Sequence, residues 1–436
     1  MTAEEILVLD AYCRERFIDL VPNQNSFGHL HHWFEHKRYI PLAETETGQQ
    51  TPWGTRFEHP FSLSPAVPEA LTFIEELFAE LLPNFSSQQF NVGCDETFDL
   101  GLGRSKELVA QKGKGRVYLD FVLEIYARVK PYHRTMQFWG DIINQYPDLV
   151  PLLPKDAIAL EWGYEADHDF PGKSRLFAES GIPFYVCPGT SSWTTIGGRT
   201  DNCVGNIRNA VDNGLKRGAI GVLNTDWGDR GHWQQLPISY LGFAYGAALS
   251  WAYDSNLKLD LPAALDAFAF QDKAGIMGKL TYDLGNAYQQ TGVVIHNSSL
   301  LFWLYQQPLA ELRQARAAWL TEGSQANLLD DEILRFNLEQ TLEYIDGVMA
   351  RLDNTDMARP DAALIKREFA HTARMLKHGA KRGLLQLGAT SYTKQALLAE
   401  LDAIEKEYRE LWLTRNRPGG LKDSVASLSA ARGLYA

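Results

Sequence analysis

The chain has 436 residues, enough for two to three domains of roughly 100–200 residues each, or for an α/β barrel of about 250 residues with a further domain. Hydrophobic residues make up 45% and charged residues 22%, which excludes a disordered, collagen-like or coiled-coil chain. Forty-two Lys and Arg stand against 54 Asp and Glu, a net charge of -12, which argues against a nucleic-acid surface and fits an acidic soluble enzyme.

In chain order, the opening Met-Thr-Ala-Glu-Glu-Ile is acidic where a signal peptide would be basic and then apolar. No stretch reaches the roughly 18 apolar residues of a membrane span, so a cytoplasmic location with no membrane partner is expected. From Glu4 to about Trp251 short apolar, β-branched runs alternate with amphipathic stretches, the pattern of parallel strands joined by helices. Strands are predicted at Arg16–Val21, Gln89–Gly93, Thr135–Trp139, Ala157–Trp162, Pro183–Cys187 and Ala219–Asn224. Helices are predicted at Pro68–Leu82, Val117–Val129 and Asn206–Arg217. After about Asp254, long Ala, Leu, Glu, Lys and Arg-rich segments at Pro308–Leu320, Glu332–Arg351, Ala362–Leu387 and Lys394–Arg415 carry helix-spaced apolar residues. The expectation is a (β/α) barrel domain over 1–253 and an all-helical accessory domain over 254–436, the latter packing on the barrel or forming a homodimer. Cys13, Cys94, Cys187 and Cys203 form no Cys-x-x-Cys pair and are expected as reduced core thiols.

Nearly every predicted strand ends in polar or aromatic residues, and the C-terminal ends of parallel strands are where such folds build their sites. The sharpest case is Phe90-Asn91-Val92-Gly93-Cys94-Asp95-Glu96, a strand running into two adjacent carboxylates. Side chains alternate along a strand, so both acids can face one mouth only where the chain leaves the strand. Glycoside chemistry asks for one carboxyl that keeps a proton for the leaving oxygen and a second charge beside the sugar, and crowded carboxylates push their pKa values apart. Alone, an Asp-Glu pair caps a helix more often than it catalyses, as Asp331-Glu332 illustrates. Trp139, Trp162, Trp193 and Trp227 fall at or just past four strand ends, where aromatic faces can stack on a sugar ring. His31, His32 and His36 lack the partner acid of a zinc site and are read as solvated, so neither a metal nor a cofactor is expected.

Asn91-Val92-Gly93-Cys94-Asp95-Glu96 resembles the His-x-Gly-Gly-Asp-Glu motif of glycoside hydrolase family 20, the β-N-acetylhexosaminidases, and especially their hexosaminidase D-like branch. Upstream, Val21-Pro22-Asn23-Gln24-Asn25-Ser26-Phe27-Gly28-His29 is similar to the family's Ile-Pro-Glu-Ile-Asp-x-Pro-Gly-His segment on the third strand. Downstream, Trp227-Gly228-Asp229 is similar to its Trp-x-Glu after the eighth. The resemblance implies a (β/α)8 TIM-type barrel and removal of terminal N-acetyl-β-hexosaminyl residues by substrate-assisted, retaining hydrolysis. In that scheme Glu96 is the acid and base, and Asp95 orients the acetamido group whose oxygen attacks the anomeric carbon. Trp139, Trp162 and Trp227 carry over as pocket walls, with Trp193 beside them, Asp229 as the grip on outer hydroxyls and His29 as the histidine after strand three. Asp141 is an additional sugar-hydroxyl candidate or a helix N-cap. The seventh-strand segment Cys187-Pro188-Gly189-Thr190-Ser191-Ser192-Trp193 holds no acid, as a mechanism without a protein nucleophile would have it. Asp141, Glu165, Asp226 and Asp229 remain other strand-end acids.

The departures concern binding. The first placeable motif resembles strand three, so the barrel is expected to lack its first two strands, and the family's substrate-gripping arginine has no counterpart. A chain lacking an upstream segment is the favoured account, against an open barrel or a gap filled by another chain. Asn91, Cys94 and Asn25 replace the motif's His, second Gly and Asp, and the tyrosine expected after strand seven has no match. Two rivals stand beside the hexosaminidase: a glycosidase acting on sugars without the acetamido group, and a carbohydrate-binding remnant without turnover.

Overall fold

In the computed structural model, which describes residues 1–54, 56–315, 319–321 and 323–435, five short strands form one parallel sheet in the order β1-β2-β3-β4-β5. They are β1 Gln89–Asn91, β2 Thr135–Trp139, β3 Ile158–Trp162, β4 Phe184–Cys187 and β5 Gly221–Val222. Their registers advance strand by strand: Gln89 faces Thr135, Gln137 faces Ile158, Ala159 faces Phe184, and Tyr185 faces Gly221. Parallel neighbours need crossovers: helix α2 (Glu69–Leu81) precedes β1, α3 (Lys114–Val129) joins β1 to β2, the 3-10 turns Ile143–Gln145 and Pro147–Leu152 join β2 to β3, and α4 (Phe170–Glu179) and α5 (Thr200–Arg217) make the last two connections, giving the half-barrel of a (β/α) fold.

The helices form where spacing and capping agree. In α2, Ala70, Phe73, Ile74 and Phe78 recur on one face and are buried, and Pro68 presets the backbone at its start. In α3, Val117, Tyr118, Phe121, Val122, Ile125 and Val129 make the same stripe, and Pro131 follows its end.

The first predicted strand is misplaced. Arg16–Val21 is no strand; helix α1 (Ala3–Arg14), closed at its start by a Thr2–Glu5 capping box, gives way to a turn in which Phe17 adopts φ 57°. Pairing with β1 begins later, at a single bridge between Asn23 and Asn91, where Asn91 N–H donates to the Pro22 carbonyl and Gln24 N–H to the Asn91 carbonyl, both at 3.0 Å. The apolar run misled because Phe17 and Ile18 point into solvent, 101% and 55% exposed.

The chain divides into two compact units. The first comprises Met1–Trp162, Asp169–Cys187 and Asn213–Leu223, and the second Gly163–His168, Pro188–Asp212 and Asn224–Ala436. The sheet lies in the first. The second holds α6 (Tyr240–Trp251), a hairpin of β6 (Val294–Ile295) and β7 (Ser298–Ser299), α7 (Leu300–Gln306), α8 (Asp331–Met349), α9 (Ala362–Gln386), α10 (Lys394–Arg415) and α11 (Leu421–Ser429). The helix predicted at 308–320 is present as Leu309–Ala315, and residues 316–318 lie outside the described ones. Arg415 pairs with Glu368 at 2.6 Å and Asp361 at 2.8 Å, tying α10 to α9. Among the described residues no helix is long and apolar enough to cross a membrane.

In the first unit the loop after β1 is anchored by Glu44, whose side chain is fully buried. Its Oε1 accepts N–H bonds from Gly101, Gly103 and Ser105 at 3.0–3.2 Å and the Ser105 hydroxyl at 2.7 Å, while Oε2 accepts the Ser64 hydroxyl at 2.7 Å. Removing an acceptor that serves several buried donors leaves each unpaired, at about 1–3 kcal/mol per group. Glu44→Ala is therefore expected to destabilise the protein by at least ~3 kcal/mol in urea unfolding; a change below ~1 kcal/mol would show that the loop does not depend on this anchor.

Candidate active site

Strand β1 buries Phe90, and Val92 follows it into the core before the backbone turns sharply. Gly93, Cys94 and Glu96 all have positive φ, at 70°, 73° and 50°. That turn breaks the strict alternation of a strand and lets two sequence-adjacent carboxylates face the same way. Glycine suits position 93, whose φ of 70° is unstrained only without a Cβ and where a Cβ would meet Asn25 Oδ1 at 2.5 Å. Asn91, where the family motif has His, uses its Oδ1 to accept the Gly93 N–H at 2.8 Å. The Tyr118 hydroxyl donates to the Cys94 carbonyl at 2.9 Å, and burial pushes the Cys94 thiol well above its usual range.

A second segment meets this turn from residues 27–29. Gly28 passes so close that a Cβ would stand 2.5 Å from the Asp95 carbonyl oxygen. His29, in the left-handed region at φ 60°, then places Nε2 3.2 Å from Asp95 Oδ2 and 3.3 Å from Glu96 Oε2, with its ring edge-on to Phe61 at 4.6 Å. Burial disfavours the imidazolium, but the two carboxylates outweigh it and raise the His29 pKa to about 10. The three side chains remain 15–29% exposed, open to a ligand. Their nearest donor atoms lie within 4.8 Å of one another, so a divalent cation could bridge them once His29 lost its proton.

Asp141 closes the site from behind. Its Oδ2 accepts the Glu96 backbone N–H at 3.1 Å, and the Trp162 side chain lies beside its carboxyl. Burial and the neighbouring Asp95 charge push its pKa well above the carboxylate range. Trp139, 5% exposed, packs with Ile158, Leu160 and Cys187, and Trp162 lies half-buried against that cluster.

The structure thus brings His29, Asp95, Glu96, Asp141 and Trp162 together in the first unit, with Trp139 beneath. Trp193, Trp227 and Asp229 belong to the second. There Trp193 is buried with its ring edge-on to Tyr164 at 5.0 Å, and the Trp227 indole N–H donates to the Tyr164 hydroxyl at 2.9 Å. Asp229 is exposed. Tyr164 is a member of this cluster that residue type alone did not single out; its position two residues past Trp162 was the available signal. Two other strand-end acids are occupied by protein groups. Glu165 makes a two-point pair with buried Arg199 at 2.7 and 2.9 Å and accepts the Asn297 N–H, and Asp226 Oδ1 accepts the hydroxyls of Thr190, Ser192 and Ser239.

The raised pKa of His29 links the site to stability. Because the folded value of about 10 exceeds the unfolded value of 6.5, the proton stabilises the native state fully below about pH 6.5, and that contribution is lost as pH rises toward 10. The stability difference between wild type and His29→Gln should therefore be largest near pH 6 and shrink steadily to pH 10 in denaturant titrations. A difference independent of pH would disprove the coupling.

Residues 1–199 match the glycosyl hydrolase family 20 catalytic domain. No curated protein matches the chain. Among solved structures, a chitobiase from Flavobacterium johnsoniae is similar over 100% of this chain and 68% of its own, at 15% identity and a TM-score of 0.50, a likeness of fold. A β-N-acetylhexosaminidase from Bacteroides fragilis is 16% identical over 52% of this chain and 46% of its own, with a TM-score of 0.40. An exo β-N-acetylglucosaminidase from Vibrio harveyi, in complex with N-acetylglucosamine, is 19% identical over 44% of this chain and 29% of its own, with a TM-score of 0.35. The chain spans less than half the length of these last two. The match over residues 1–199 takes in the turn at 93–96, His29, Asp141 and Trp162, so that this part of the chain is similar to the glycosyl hydrolase family 20 catalytic domain.

Proposed function

We propose that the chain is a glycoside hydrolase that removes terminal N-acetyl-β-hexosaminyl residues with retention, the substrate's own acetamido oxygen acting as nucleophile. The observation that carries this reading is the convergence of Asp95 and Glu96 on His29 Nε2 at the end of β1. Glu96 delivers a proton to the glycosidic oxygen as the C–O bond breaks. His29 Nε2, 3.3 Å from Glu96 Oε2, holds the Glu96 carboxyl in position beside Asp95. Asp95 accepts from the acetamido N–H, turning its carbonyl oxygen toward the anomeric carbon and stabilising the positive charge of the cyclic intermediate. Glu96 then takes a proton from the water that opens it. Trp139 and Trp162 in the first unit, and Trp227 and Asp229 in the second, are proposed as substrate contacts on the family resemblance, whereas Trp193, 1% exposed, is a packing residue and not the pocket wall expected from the sequence.

The chemistry of the other acids supports substrate assistance over a protein nucleophile. Among the other strand-end acids, Glu165 accepts from Arg199 and a backbone N–H, Asp226 Oδ1 from three hydroxyls, and Asp141 Oδ2 from the Glu96 N–H. Each is stabilised as it stands and made a poorer nucleophile.

Nitrophenol release from aryl N-acetyl-β-hexosaminides tests the assignment. Glu96→Gln and Asp95→Asn should each lose about 10²–10⁴-fold in kcat. Variants as active as the wild type would refute the roles given to the pair. A 2-fluoro glycoside should leave the protein unlabelled in mass spectrometry. A stable adduct on Glu165, Asp226 or Asp141 would replace this reading with a covalent mechanism on sugars without the acetamido group.

A further inference from the structure

The loop that follows Trp227 is built on strained backbone. Arg230 and His232 both sit in the left-handed region, at φ 54° and 52°, and Gly231 between them has φ 114°. Consecutive residues of this kind persist only where their surroundings over-determine them. Here the surroundings are the C-terminal helices of the same unit. The hydroxyl of Tyr408 on α10, a side chain 1% exposed, lies 2.8 Å from the His232 carbonyl and 3.2 Å from that of Gly231 and donates between them. Ser427 on α11 donates to the Arg230 carbonyl at 2.9 Å. Three successive carbonyls, 230 to 232, are thereby held by α10 and α11. The indole N–H of buried Trp233 donates to the Ser424 carbonyl at 3.4 Å, and the Trp412 ring stands edge-on to His232 at 5.8 Å. The tie reaches back along the loop, because the buried Gln234 side chain donates to the Trp227 carbonyl at 2.6 Å.

We propose that α10 and α11 act as a clamp that sets the conformation of the loop bearing Trp227 and Asp229, with Tyr408 and Ser427 as positioning residues for substrate recognition. Neither touches substrate; each acts through the backbone it holds. The inference rests on the reading that Trp227 and Asp229 contact the sugar. It gives the C-terminal helices a task in recognition. Without the clamp, the carbonyls of 230–232 would find water, the left-handed residues would relax, and Trp227 and Asp229 would be presented in many arrangements instead of one. Binding would suffer while the proton transfers at Glu96 would not, so the effect belongs in KM.

The test uses the full chain with p-nitrophenyl N-acetyl-β-glucosaminide, comparing wild type, Tyr408→Phe/Ser427→Ala and Asp229→Asn, alongside hydrogen exchange at residues 228–235. The double variant should exchange faster in this loop and raise KM about tenfold, with kcat within about twofold of wild type. Asp229→Asn should raise KM without loosening the loop. Unchanged exchange in the double variant, or a loosened loop with unchanged KM while Asp229→Asn still raises it, would overturn the clamp alone. An unchanged KM in Asp229→Asn would instead overturn the assignment of the loop to the sugar, and the clamp's role in recognition with it.

Discussion

The site depends on one electrostatic constraint: two carboxylates that are neighbours in sequence must share one imidazole. Adjacent anions repel, and a strand would send them to opposite faces. The backbone resolves this with positive φ at Gly93, Cys94 and Glu96, conformations that cost roughly 1–3 kcal/mol apiece outside glycine. The His29 proton compensates, drawing Asp95 and Glu96 onto the same nitrogen. Other features of the first unit support this arrangement. Gly28 permits the close approach, Asn91 and Tyr118 take up the polar groups of the turn, and Asp141 holds the Glu96 N–H.

Residues that interrupt a motif acquire a physical reading in this light. Asn91 serves the turn through a short local hydrogen bond that histidine's larger ring would make differently. Cys94 adopts a left-handed conformation where glycine would be less strained, and its neighbours enclose it fully. Both substitutions alter how the turn is built while leaving the two acids in place.

Most of the parallel sheet was legible in the sequence because its strands are short apolar runs with abrupt polar ends. Thr135–Trp139 matches the structure residue for residue, and the other four predicted segments enclose β1, β3, β4 and β5. Arg16–Val21 failed because an apolar run reports hydrophobicity and not burial: Phe17 and Ile18 face solvent, and the pairing residues around Asn23 are polar. The acids of the site were legible by type and spacing. What was not legible was which acids the protein keeps for itself. Glu165, Asp226 and Asp141 resemble Asp95 in sequence context, and only their partners, distant along the chain, distinguish them. Likewise the helical periodicity after 254 revealed α8 to α10 but not that Tyr408 reaches the loop at 231–232, a contact about 176 residues away in sequence.

The enclosure of Cys94 has a consequence beyond packing. A thiol becomes reactive when it is exposed and ionised, and this one is neither: it is fully buried with its pKa pushed up. Its neighbour in sequence is Asp95, so an alkylating reagent can reach the sulfur only when the turn that presents the acids has opened. Burial of Cys94 and the placement of the two carboxylates are thus properties of one and the same turn.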